Sequence, residues 1–173
     1  MSESVRALAQ QFRIHDLFGT SAVAGFTPAM WTERPHAHVN HAVWLFAHVN
    51  EVRRSIAANL RADAPPASPG AGTPFGEPAA PASAYAAPEA LLAEFTALGA
   101  AIAGALAEAD DATLAATYTP DFPDGGRRTV ADALQFLVAH EGLHLGQLSL
   151  VRRLHGLSGV AEVVLASMQH RAG

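Results

Sequence analysis

The chain has 173 residues, half of them hydrophobic, with 38 alanines, no lysine, no cysteine and a formal net charge of −5. That length suits one domain with a real core, and the alanine content favours helix. The acidic balance argues against a face built for nucleic acid or anionic lipid, and the lack of cysteine excludes disulfides, a zinc ribbon and a thiol nucleophile within the chain.

A first helix is predicted over Ser4–Phe18, where Val5, Leu8, Phe12 and His15 recur at helical spacing and Gly19 is placed to stop it. The start Met1–Arg6 has no apolar stretch of the kind that begins a secretory signal. A loop carrying Pro28 and Pro35 follows. The second helix is expected from Asn40 as N-cap to about Arg61, with Val39 and Trp44 as a hydrophobic staple. Seven of the eleven prolines lie between Pro65 and Pro88, so the stretch 62–87 reads as a long irregular connection or lid. Pro88 suits the first position of a third helix running to about Ala109, whose small residues Ala97, Ala101, Gly104 and Ala107 would permit close helix approach. Its uncharged run Phe95–Ala107 is too short to span a bilayer. After a loop with Pro120, Pro123 and Gly125-Gly126, Thr129-Val130-Ala131-Asp132 caps a fourth helix ending near Gly156. A last short helix is expected over about Gly159–His170. The sum is an all-α fold: a four-helix bundle with one long crossover connection and a short C-terminal helix, one domain over 1–173. A cytoplasmic location is the expectation.

Nine histidines carry the chemistry. His140 and His144 stand one turn apart on the stripe of Ala133, Leu137 and Val151, so both rings point inward and can reach one ion. The competing reading is a pair of core histidines bonded to carbonyls or hydroxyls. A third ligand must come from the second helix, where His41 and His48 lie two turns apart, about 10.5 Å along the axis, too far to share one ion. His48, mid-helix beside Trp44, Leu45 and Val52, is the choice; His41, in the first turn and closer to water, is the alternative. His36 and His38 fall in the preceding loop, at the mouth of the site or in solvent. His15 sits on the apolar face of the first helix, as a hydrogen-bonded core residue or a partner of the site. His155 and His170 fall at helix ends and are expected in solvent. Three neutral imidazoles suit zinc or nickel and leave coordination positions open.

His140-Glu141-Gly142-Leu143-His144 also matches H-E-x-x-H, in which the glutamate is a general base. The longer metalloprotease form fails, because Gln147 and Leu150 stand where it needs Gly and His. Glu141 is the candidate acid or base, against a solvated helix carboxylate. Gln147 lies near the metal face, as a bonding partner of a ligand or as polar filler. Gly142, Gly146 and Ser149 form a small-residue stripe opposite, read as a helix contact within the bundle or across a dimer.

The segments Trp44-Leu45-Phe46-Ala47-His48, Thr129–Leu134 and His140-Glu141-Gly142-Leu143-His144-Leu145-Gly146-Gln147 resemble the DinB-like family over nearly the whole chain. The resemblance implies a metal-binding helical bundle, often a homodimer, holding zinc or nickel on His48, His140 and His144. It further implies thiol S-transfer, in which the metal activates a low-molecular-weight thiol such as bacillithiol or mycothiol, or water, against a small-molecule substrate. The family name does not imply DNA binding. The alternatives are a non-catalytic metal- or ligand-binding stress protein and a metal-dependent hydrolase.

Overall fold

Side-chain caps set most helix starts. The computed structural model describes residues 3–70, 72–73, 79–122 and 124–171, with the side chains of Ser4, Met168, His170 and Arg171 outside that description. The expectations for His170, Pro74, Pro78 and Pro123 therefore lie outside the described residues. Among those described, the chain is all-α: α1 (Glu3–Ala22), α2 (Pro28–Thr32), α3 (Ala42–Asn59), α4 (Pro88–Glu108), α5 (Asp111–Ala115), α6 (Val130–Leu154) and α7 (Val160–Arg171). Thr27, Asp110 and Thr129 each accept a backbone N–H at the start of α2, α5 and α6.

Three expectations change. Gly19 lies inside α1 rather than ending it; a Cβ there would stand 2.5 Å from the Phe95 ring, so it is the point where α1 closes on α4. The turn falls at Gly25, whose φ of 79° suits glycine. The cap of α3 is His41, not Asn40: its Nδ1 accepts the Trp44 N–H at 3.0 Å. The small-residue face of α4 is turned outward, with Ala97, Gly104 and Ala107 exposed. Gly99 makes the close approach instead, since a Cβ there would collide with the Asp16 carboxylate.

α3 packs on α4, α4 on α1, α1 on α6 and α6 back on α3, while α7 lies along α1. α4 is long and apolar enough to cross a membrane by length and composition. Here its Leu91, Phe95, Leu98, Ile102 and Leu106 are buried in the core between α1 and α3.

The core divides in two. One apolar cluster gathers Phe46, Phe95, Leu145 and Leu148, the other Phe12, Ile56, Leu98 and Leu134. Between them, in the registers of α1, α3 and α6, runs a layer of charge. Arg53, 0% exposed, donates to Glu141 Oε2 (2.9 Å) and Oε1 (2.6 Å), to Asp16 (2.6 Å) and to the Phe95 carbonyl (2.6 Å). Its guanidinium lies 3.7 Å from the centre of the Phe95 ring. His15 donates its Nδ1 proton to Glu141 Oε1 at 3.1 Å. Every charge in the layer has a partner, as burial at this depth requires.

Candidate metal centre

α3 and α6 run side by side, so residues at one level of each face one another. His48 comes from α3, and His140 and His144 from successive turns of α6. One ring nitrogen of each lies within 4.8 Å of the others. His140 Nε2 is 3.3 Å from His48 Nε2 and 3.1 Å from His144 Nε2. Three nitrogens bound tetrahedrally at about 2.0–2.1 Å would stand about 3.3–3.4 Å apart. Two of the three edges thus have the spacing of a tetrahedron, the third lies within 4.8 Å, and the group can hold a metal ion.

The outward nitrogens explain why these edges face inward. The Thr73 hydroxyl donates to Glu51 and accepts the Nδ1 proton of His48 at 2.9 Å. That bond leaves the Nε2 of His48 as a lone pair. His144 likewise donates from Nδ1 to Gln147 Oε1 at 2.9 Å, freeing its Nε2. Such outer hydrogen bonds fix tautomer and ring orientation in metal sites. His140 lacks one: its Nδ1 is buried with no partner among the described residues. Ring packing holds it instead, with Phe136 stacked at 6.3 Å. Trp44 stacks on His48 at 5.0 Å, nearly parallel.

Burial pushes all three imidazoles toward the neutral form. His48 falls to about 4, through burial first and then the neighbouring His144 and His140. His140 is lowered by burial and by His144, and His144 by burial. Neutral imidazole is the form that binds metal. The three rings remain half-buried, so the site opens to solvent.

The other sequence candidates fall elsewhere. His41 is buried, not wet, and both its nitrogens are used: Nδ1 caps α3 and Nε2 donates to the Ala80 carbonyl at 3.1 Å. His36 and His38 are exposed, with the His38 N–H donating to His36 Nδ1. His155 ends α6 half-buried against Phe26, rather than in solvent. Glu141 is 1% exposed, and its two oxygens are taken up by Arg53 and His15 in the charged layer. It is not a solvated carboxylate. Gln147 bonds a candidate ligand. The stripe of Gly142, Gly146 and Ser149 lines a groove of about 340 Å³ between α1, α6 and α7.

Sequence reasoning missed Arg53, Thr73 and Glu51. Arg53 stood in an apolar helix as a charge without a visible partner, a readable signal. Thr73, inside the proline-rich stretch, carried none.

A family model described as the DinB superfamily matches residues 20–148. No curated protein matches the chain. A crystal structure of a conserved protein from Enterococcus faecalis is similar in fold: TM-score 0.64 at 16% identity, over 89% of this chain and 97% of that one.

Proposed function

This chain belongs to the DinB superfamily, and we propose that it is a metal-dependent enzyme transferring a small-molecule thiol to an electrophilic substrate. The observation that carries this reading is the convergence of three neutral Nε2 atoms from His48, His140 and His144 at coordination spacing. Zinc or nickel suits an all-imidazole set. A dication bound there lowers the pKa of a thiol or water beside it and so supplies a nucleophile at neutral pH.

The chain's own residues do the rest. Thr73 and Gln147 hold two of the rings in the tautomer that presents Nε2. Trp44 and Phe136 clamp His48 and His140 by stacking and shield their faces from water. No cysteine competes for the ion, and the sulfur must arrive from outside. Glu141 is a bolt of the fold in this account, and its engagement by Arg53 and His15 disfavours the H-E-x-x-H hydrolase reading.

The test is thiol conjugation by zinc- or nickel-loaded protein, with a panel of low-molecular-weight thiols and a chromogenic aryl halide. Turnover that needs both metal and thiol, and vanishes in His140→Ala, is expected. Stoichiometric metal without acceleration for any thiol favours a non-catalytic binding protein instead.

A further inference from the structure

We infer that the recess beside the three-histidine centre is a substrate pocket for a small, uncharged, ring-sized apolar group, and that it turns carboxylates away. The inference rests on the preceding reading of that centre and adds the class of substrate it takes.

Helix register places the recess. Val52 lies one turn beyond His48 on α3, and Leu137 one turn before His140 on α6, each on the same face as its histidine. With Phe122 and Pro120 they wall a recess of about 230 Å³. One helical turn is about 5.4 Å along the axis, so the recess adjoins the centre one turn along each helix. Aromatic rings make the link continuous: Phe122 packs on Phe136 at 5.3 Å, and Phe136 on His140 at 6.3 Å.

The recess is preformed. Its outer wall, around residues 117–122, is tied to α3 by Asn59, which bonds both the N–H and the carbonyl of Thr119. It is tied to the start of α6 by a bridge between Thr117 and Thr129. The polar groups inside satisfy each other, since the Tyr118 hydroxyl donates to Ser55 Oγ at 2.7 Å. Burial raises the Tyr118 phenol further, so it stays neutral. Recognition therefore runs through shape and apolar contact, and the volume suits one ring rather than a drug-sized ligand.

Charge decides the rest. Two carboxylates, Glu51 and Asp121, stand at the rim. Arg128 lies 4.1 Å over the Phe122 ring with its charge paired to Asp124 at 2.7 Å. An anionic ligand would meet net negative charge, and no cation is among the described residues lining the recess.

The test uses two probes of similar size, 4-fluorobenzyl alcohol and 4-fluorobenzoate, followed by fluorine NMR. The charge comparison is made on metal-free protein, so that benzoate cannot gain from binding a metal. The alcohol is expected to bind at least tenfold more tightly than the benzoate. Val52→Phe, at a half-buried wall position, should weaken the alcohol at least tenfold while metal uptake stays unchanged. Asp121→Asn, exposed at the rim, should strengthen benzoate about threefold, the effect of one charge at about 6 Å in water. Cobalt bound at the three histidines should broaden the fluorine signal of the seated alcohol. Benzoate binding as tightly as the alcohol, or Val52→Phe leaving the alcohol unaffected, would overturn the pocket. Failure of cobalt to bind would instead overturn the metal reading and leave the metal-free comparison standing.

Discussion

Replacing Glu141 with glutamine separates the two roles that an H-E-x-x-H glutamate can play. In this fold Glu141 is 1% exposed and accepts three hydrogen bonds, two from Arg53 and one from His15. Glutamine keeps the shape but removes the charge and replaces one of the two acceptor oxygens with an N–H₂ facing donors. Arg53 would keep Asp16 and the Phe95 carbonyl, so the loss belongs at the low end of the range for breaking a buried pair, about 3 kcal/mol. A domain stable by about 5–15 kcal/mol survives that. With a urea slope of about 2 kcal/mol per molar, the midpoint falls by about 1.5 M. The assay is urea unfolding by circular dichroism, run beside metal analysis of the same variant at low denaturant. The account expects Glu141→Gln to unfold early yet keep its metal. Unchanged stability with abolished hydrolysis of any substrate would refute it and restore Glu141 as a general base.

Four further outcomes follow from the same geometry. Thr73→Val removes the hydroxyl that orients His48 and should weaken metal binding about 10- to 100-fold by isothermal titration, with the helix content intact. Gly99→Ala drives a methyl into the Asp16 carboxylate and should cost about 1–3 kcal/mol in urea unfolding. Gly146→Ala, with nothing within 4 Å of the added Cβ, should gain up to about 1 kcal/mol from helix propensity. Acid titration has a definite sign. Burial raises the Glu141 carboxyl, but the His15 hydrogen bond and the Arg53 charge more than offset it and hold it below its ordinary 4.5. Its stabilisation is therefore complete above that value and fades as pH falls through the lowered one, so the stability gap between wild type and Glu141→Gln should narrow below pH 4.5. Asp16, raised by burial despite Arg53, works in the opposite sense, its share of the stability falling as pH rises through the raised value.

What the sequence made legible was local. Proline at 88, the Thr129 cap and the apolar spacing of α1 and α6 are short-range signals, and the helices form where those signals lie. That His140 and His144 share one face was readable because helical spacing fixes which face a side chain takes; His48 joins them only through the packing of α3 on α6. What stayed hidden depends on distant partners. Gly19 looked like a helix stop because nothing nearby shows that Phe95 will press against it. The charges of Arg53 and Glu141, 88 residues apart, meet only once α3 and α6 pack. Thr73 reaches His48 from a segment without periodicity, and His41 serves as a cap although histidine is not among the common capping residues.

The central claim is that His48, His140 and His144 together hold one divalent ion. Metal analysis of the purified protein and its His48→Ala, His140→Ala, His144→Ala and His41→Ala variants addresses it directly. The account predicts one zinc or nickel per chain in the wild type and in His41→Ala, with uptake lost in each of the other three while their helix content persists. Metal retained by His48→Ala but lost from His41→Ala, or a wild type that takes up no divalent ion at all, would contradict it.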